Sequence, residues 1–394
     1  MRLLACHHDS YCTEARVVVT GCSRVEGGFR VSISESIAYP GGGGQPADRA
    51  MLGDAVVIDY VQDASAPTVL TDRAVTLGEV VMTIDWARRF DHMQQHTAQH
   101  LITATAIDLF GWETLAFHLN VDRSDIVLDT AMPPQAQLMA LEEAVNQQIR
   151  SGIDVGVESM ERNSLAEAGA RFRRLAPGDG ALRMIRIGQV DLNPCGGTHV
   201  RNTAELQAVR FVGAQVDKGK TRLFFLAGTR LIESHRTLLT QSDGMTRLLS
   251  EPARHHLDAV ERLQEQLKQM AKDVAKIEGR LAEELMAQVS DADGFYSIER
   301  PVLHPHFVST VGRLAADLNS EVVVLVHDSA SGGEMNFALF GQPDHLDRIM
   351  ARLDDQFTVR GGGRGTRRQG KVMNVTQSME VAAFLKGEGA RHEN

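Results

Sequence analysis

The sequence predicts an α+β protein of four segments, and three observations carry that prediction. Residues 1–85 alternate β-branched runs with Gly, Asp and Pro breaks, the pattern of a small β-barrel or curled sheet. Residues 86–230 open on a long helical pattern and pass into strands, an α/β unit. Residues 231–290 carry a coiled-coil-like heptad seam, a helical connector before a last α/β segment at 291–394.

Composition narrows the function classes. The chain has 394 residues, 43% hydrophobic and 23% charged, enough for several cores. A formal net charge of −10 argues against gripping nucleic acid through the whole surface and leaves only local basic patches. No apolar run reaches the roughly 18 residues of a membrane span, so no membrane partner is expected. The opening MRLLACHHDSYC lacks the apolar core and cleavage site of a secretory signal. Four cysteines in so long a chain do not make a disulfide framework, and a cytoplasmic, reduced setting is expected.

In the first segment the runs VVVTGC, GFRVSISESIAY, AVVIDYV and VVMTID read as strands. Between them lies Tyr39-Pro40-Gly41-Gly42-Gly43-Gly44-Gln45-Pro46. A phosphate-binding P-loop would end in Gly-Lys-Ser/Thr; this run ends in Gly-Gln. Gly42, Gly43 and Gly44 instead let backbone come close to a ligand. The second segment's first helix is expected over Asp91–Phe110, with Asp91 as N-cap, Gln94 as its capping-box partner and Gly111 beyond the end. A second helix is expected over Gln135–Arg150, then strands at Arg183–Ile187, Leu206–Val212 and Thr221–Phe225. In the connector Val260, Leu267, Val274 and Leu281 recur every seven residues, with Leu263, Met270 and Ile277 three residues later. That seam suits either an intramolecular hairpin with Leu231–Leu249 or an intermolecular coiled coil that makes a homodimer. In the last segment VVVLVHD and FALFG read as buried strands, and Arg360 to Lys371 as a basic glycine-rich loop.

Two short motifs point to a metal. His96-Thr-Ala-Gln-His100 sets two imidazoles at i and i+4, one turn apart on one helix face. Cys195-Gly-Gly-Thr-His199 repeats the spacing with a thiolate and a third imidazole, and its glycines let the backbone turn. His96, His100, Cys195 and His199 together form an N₃S set suited to one zinc per chain. The zinc-protease reading fails, because that helix needs Glu after its first His and this chain has Thr97. His92 lies one turn before His96 and is a candidate neighbour or proton carrier. Cys6, His7, His8 and Cys12, in an expected strand and turn, form a weaker cluster.

These motifs resemble the AlaX-type alanyl-tRNA editing proteins, free-standing relatives of the editing domain of alanyl-tRNA synthetase. The resemblance rests on Asp9-Ser-Tyr-Cys-Thr-Glu14, on the glycine-rich run to Asp48, on Asp91 to His100 and on Asn193-Pro-Cys-Gly-Gly-Thr-His-Val200. Arg360-Gly-Gly-Gly-Arg364 in the last segment is similar to the family's DHH-associated domain, and no DHH phosphoesterase motif accompanies it. Two positions depart: Ala204 stands where the family has glycine, and Gly41 where an acidic residue is commoner.

The resemblance implies an editing domain at 86–230 and hydrolysis of the terminal ester of mischarged seryl-tRNA(Ala), with glycyl-tRNA(Ala) as a second substrate. Thr97, Thr198 and Gln45 are the expected polar pocket walls, and His92 and His118 the expected proton carriers. A site with four protein ligands is closed, so catalysis there requires a fifth coordination position or a loosened ligand. Arg360, Arg364, Arg367, Arg368 and Lys371 are expected to contact tRNA phosphates, together with the Gly42–Gly44 backbone. Arg171, Arg173 and Arg174, and Lys218, Lys220 and Arg222, are further basic clusters. Rival readings are a non-catalytic zinc-stabilised RNA-binding protein and an editing enzyme for threonyl-system substrates.

Overall fold

The computed structural model describes residues 4–61, 66–165, 168, 170, 180–290, 294–318, 322–329 and 333–389. They divide into two compact units, Met1–Asp243 and Gly244–Asn394. No helix among the described residues is long and apolar enough to cross a membrane.

The first unit opens with a short helix α1 (Ala5–His8) and a closed barrel of β1 (Glu14–Val25), β2 (Gly28–Ile33), β3 (Ala50–Leu52), β4 (Ala55–Val61), β5 (Thr68–Thr71) and β6 (Gly78–Ile84). The strands close in the order β1-β2-β5-β4-β3-β6. Alternation explains the core: Val17 and Val19 point inward with Val31, Ile33, Leu52, Val69 and Met82, while Val18 faces out. Two expectations need correction here. Cys6 and His7 sit in α1 rather than a strand. The run GFRVSISESIAY is strand only to Ile33; beyond it Ile37, Ala38 and Tyr39 are buried as a loop that carries the glycine run.

Next come α2 (Trp86–Phe110), β7 (Thr114–Leu119), β8 (Ser124–Leu128), α3 (Gln135–Arg150), β9 (Val155–Met160), β10 (Leu182–Ile187), β11 (Asp191–Pro194), β12 (Val209–Asp217), β13 (Lys220–Ala227) and α4 (Gly228–Leu249). They build two antiparallel sheets, β12-β13-β8-β7 and β11-β10-β9. One core joins α2 and α3 to both sheets through Leu101, Ile102, Leu141, Ile185, Leu223 and Phe225. Helix α2 begins five residues before the expected start. Asp85 is its N-cap and accepts from the Arg88 N–H at 3.0 Å. Asp91 lies a turn inside and takes both forks of Arg230 at 2.7 Å. Strand β12 starts at Val209, not Leu206, because Thr203–Leu206 forms a 3₁₀ turn capped by Asn202 and followed by Gln207 at φ 57°. Ala204 occupies that turn without disrupting it.

The second unit holds α5 (His256–Met286), β14 (Phe295–Arg300), α6 (Pro305–Ala315), β15 (Val323–Asp328), β16 (Glu334–Phe340), α7 (Pro343–Gln356), β17 (Thr358–Gly362), β18 (Arg367–Met373) and α8 (Ser378–Gly389). Its sheet runs β14-β15-β16-β18-β17, with β14 and β15 parallel. Apolar cores form on both faces. The seam residues Leu267 and Ile277 are 66% and 64% exposed. The basic run from Arg360 is a β-hairpin rather than a loop. Gly361 pairs with Gly370, and a Cβ on either would strike the opposite backbone. These glycines serve close strand approach.

Candidate metal centre

The site grows out of α2, a helix buried on nearly every side. Two of its glutamines are spent on fixed partners. Gln94 donates to Glu205 O at 2.8 Å and accepts from the Thr229 N–H at 3.0 Å. Gln95 donates to Ala227 O at 2.9 Å and accepts from the Ala227 N–H at 3.1 Å. The helix is therefore pinned in rotation, and His96 and His100 are presented to one point.

The Cys195–His199 turn delivers the other two donors to that point. The Cys195 Sγ lies 3.5 Å from His96 Nε2 and 3.3 Å from His199 Nε2. The donor atoms of all four residues lie within 4.8 Å of one another. A zinc with bonds of about 2.3 Å to sulfur and about 2.0–2.1 Å to nitrogen needs a tetrahedral S···N edge of about 3.6 Å. The donor set and its spacing fit that ion. Gly197 must be glycine, because a Cβ there would collide with the His96 ring. Arg183 clamps the turn from β10, donating from Nη1 to Cys195 O at 2.6 Å and Gly197 O at 2.9 Å.

A second ring of contacts orients the imidazoles. Gln45 Oε1 lies 2.9 Å from His96 Nδ1 and accepts from the Thr198 N–H at 3.0 Å. The backbone N–H can only donate, so that Gln45 atom is the oxygen and His96 Nδ1 carries the proton. Asp191 Oδ2 lies 2.8 Å from His100 Nδ1, and Thr97 Oγ1 3.1 Å from His199 Nδ1. Each imidazole thus has its Nδ1 engaged and its Nε2 lone pair turned to the shared point. The glycine run explains how Gln45 gets there. Gly41 to Gly44 all have positive φ, and the Gly42 and Gln45 backbones bond reciprocally at 3.0 and 2.9 Å. The resulting turn aims Gln45 inward. Asp191 was not singled out from the sequence; an Asp at the start of a short strand carries no motif. Replacing Asp191 with alanine is expected to weaken metal binding by about 10–100-fold with the fold intact, and with asparagine by less. Competition with a chelator measures this, and unchanged affinity in Asp191→Ala removes the residue from the account.

Electrostatics separates Cys195 from Cys6. Burial opposes ionisation of Cys195, but His96, His199 and His100 outweigh it and hold the thiol well below its usual range. Burial pushes Cys6 up to about 12, so it stays a thiol. Burial likewise lowers His199 to about 3, leaving it neutral, as a metal ligand must be.

The remaining sequence candidates fall in several places. Thr198 Oγ1 accepts from Gln45 Nε2 at 2.8 Å. Thr97 Oγ1 also accepts from the Val200 N–H at 3.3 Å. His92 is buried, lowered to about 4 chiefly by burial, and its Nδ1 has no hydrogen-bond partner among the described residues. Phe117 stacks on His96 with centroids 5.5 Å apart and abuts Gly44. His118 is half exposed, with Nδ1 2.9 Å from Asp125 Oδ2. Its strand neighbour Phe117 faces the cluster, so alternation turns His118 to the other side of the sheet. Arg360, Arg364 and Arg367 are exposed. Arg368 is buried against Asp347, and Lys371 pairs with Glu334 at 2.8 Å. Lys220 pairs with Asp129, and Arg222 with Asp125 and Asp217. Arg171, Arg173 and Arg174 lie outside the described residues.

Residues 182–224 match the family profile described as the threonyl and alanyl tRNA synthetase second additional domain. The chain is 32% identical to alanyl-tRNA editing protein Aarsd1-A of Xenopus laevis, across 97% of this chain and 96% of that one. It is 33% identical to Aarsd1 of Danio rerio, with the same coverage of 97% and 96%. An alanine–tRNA ligase of Hyperthermus butylicus is 28% identical over 72% of this chain and 32% of the ligase. The chain belongs to the alanyl-tRNA editing protein family.

Proposed function

We propose that this protein hydrolyses the terminal ester of mischarged tRNA(Ala), with seryl-tRNA(Ala) as the principal substrate and glycyl-tRNA(Ala) as a second. The observation that carries the proposal is the buried four-donor cluster, in a chain of this family. Zinc bound there supplies a Lewis acid and a water of lowered pKa. The chain's own residues supply orientation. Gln45, Thr97 and Thr198 place hydroxyl and amide groups around the ligands, and the Gly41–Gly44 turn brings backbone close to the terminal adenosine.

The need for such an activity is physical. A pocket built for alanine rejects a slightly different small side chain poorly, whereas a site that hydrogen-bonds a hydroxyl can discriminate by about 10⁴ against the analogue lacking it. In this reading the Thr97 hydroxyl, Thr198 and Gln45 supply those contacts, and the orphan His92 Nδ1 is the group left to receive a substrate proton or hydroxyl. Phosphate contact falls on Arg360, Arg364 and Arg367, the exposed arginines of the β17–β18 hairpin in the DHH-associated-like segment. The exposed α5 seam is the surface through which two chains would pair, and the reaction belongs in the cytoplasm, where tRNA is charged.

Side-by-side deacylation of Ser-, Gly-, Ala- and Thr-tRNA tests the proposal. Ser-tRNA(Ala) is expected to be cleaved at least about a hundredfold faster than Ala-tRNA(Ala), because the correct product must survive. Equal rates on the two would end the editing reading, and preference for the threonyl substrate would redirect it.

A further inference from the structure

A cavity of about 270 Å³ adjoins the metal centre at His199. Its walls include His199, one of the four metal donors, together with Arg183, Arg201, Tyr11, Asp9 and His8. Neither the metal chemistry nor the pocket assigned to the amino acid uses it.

Its charge is unbalanced. The Arg183 guanidinium is largely withdrawn from water, yet its partners among the described residues are three backbone carbonyls: His7 O at 3.2 Å, Cys195 O and Gly197 O. Its Nη2 is buried without a hydrogen-bond partner. A buried cation needs negative charge nearby. Asp9 is the one acidic residue among the cavity's lining residues, and Arg201 already engages it. The Arg183 wall of the cavity is left positive.

The second guanidinium is preorganised. Arg201 lies flat on the Tyr11 ring, 3.9 Å from its centroid, and reaches Asp9 at 3.0 Å. Its backbone N–H is held by Tyr11 Oη at 2.9 Å and Glu205 Oε1 at 3.1 Å. Tyr11 in turn donates to Glu205 Oε2 at 2.7 Å. The Asp9–Glu14 motif is thereby tied to the turn after His199, with the Arg201 cation fixed in the wall of the cavity. A phosphodiester matches this arrangement: compact, anionic, and able to take parallel donors from guanidinium groups.

We propose that this cavity seats a backbone phosphodiester of the substrate's single-stranded 3′ end, held by Arg201 and Arg183 beside the metal. The inference rests on the proposed deacylase reading for the identity of the RNA. The charge imbalance itself does not depend on catalysis. Asp9 then acts as the competitor that Arg201 releases when the phosphodiester arrives.

The test is binding of the trinucleotide CpCpA to the zinc-loaded full chain, measured at several salt concentrations, with adenosine and inorganic phosphate as separate probes. Arg201 is exposed, so Arg201→Gln leaves the core untouched. It is expected to weaken CpCpA by about 10–100-fold, the range for a charged hydrogen bond. The salt slope should fall by about 0.7, the value for one contact on a single strand. Adenosine binding should not move. Arg201→Lys should keep most of the salt slope. Asp9→Asn, which removes the competitor, should tighten CpCpA, an effect opposite in sign to structural damage. Unchanged CpCpA affinity and slope in Arg201→Gln would overturn the proposal, as would inorganic phosphate binding as tightly as CpCpA. These results with no hydrolysis of seryl-tRNA would support the seat while removing the deacylase reading.

Discussion

Cys195→Ala protein is expected to carry far less than one metal ion per chain and to lose ester hydrolysis by about a hundredfold or more. Three imidazoles would remain, each still oriented through its Nδ1 by Gln45, Asp191 or Thr97. What disappears is the anionic donor. Burying a divalent ion without a neighbouring negative charge carries a desolvation penalty that imidazole lone pairs only partly offset. Cys6→Ala is the control, because Cys6 is buried nearby but stays a protonated thiol outside the donor cluster. Metal content by elemental analysis and deacylation of seryl-tRNA, on the same preparations, check the expectation. Wild-type content and rate in Cys195→Ala would dismantle the site.

Much of this centre was legible in the sequence, for a physical reason. Ligands at i and i+4 of a helix share a face whatever the rest of the fold does, so His96 and His100 announce themselves. Cys195 and His199 do so because two glycines between them permit the turn. The helix over Gln135–Arg150 was equally legible, since its apolar spacing has one period throughout. What was not legible depends on pairing across distance. Asp91 reads as a cap, yet Arg230, far along the chain, claims it. Asp191 and Arg183 carry no local pattern, and only the meeting of β10 and β11 with α2 gives them their roles. The glycines near Arg360 look like a loop because a hairpin with glycine on both strands has no side-chain alternation to betray it. His118 shows the converse, where one residue of strand parity decides which face a side chain serves.

Arg89→Met is expected to destabilise the first unit by about 3–5 kcal/mol, the cost of stranding a buried charge. Arg89 and Asp48 are both fully buried side chains, at 0% exposure each. Arg89 Nε donates to both Asp48 oxygens, at 3.1 and 2.9 Å, and its Nη2 reaches the same carboxylate. Nη1 donates to Ser10 O and Nη2 to Ile37 O, each at 2.7 Å. Methionine fills much of the space but leaves the Asp48 carboxylate and two carbonyls without their donor. The damage should also reach the site. Asp48 Oδ2 accepts from the Tyr39 N–H at 2.7 Å, and the Asp48 N–H donates to Tyr39 O at 2.9 Å, which closes the base of the loop that aims Gln45. Arg89→Met should therefore weaken metal retention as well as shift the denaturation midpoint. Adding Asp48→Leu should recover part of the stability, because a buried pair replaced by apolar groups of similar size is often neutral. It should not recover metal retention, since leucine cannot hold the Tyr39 N–H. A double-mutant cycle read by urea denaturation and chelator competition separates the two effects. If the double variant regains both, the pair acts through packing alone. If Arg89→Met costs under about 1 kcal/mol, water reaches the carboxylate and the clamp on the glycine loop lies elsewhere.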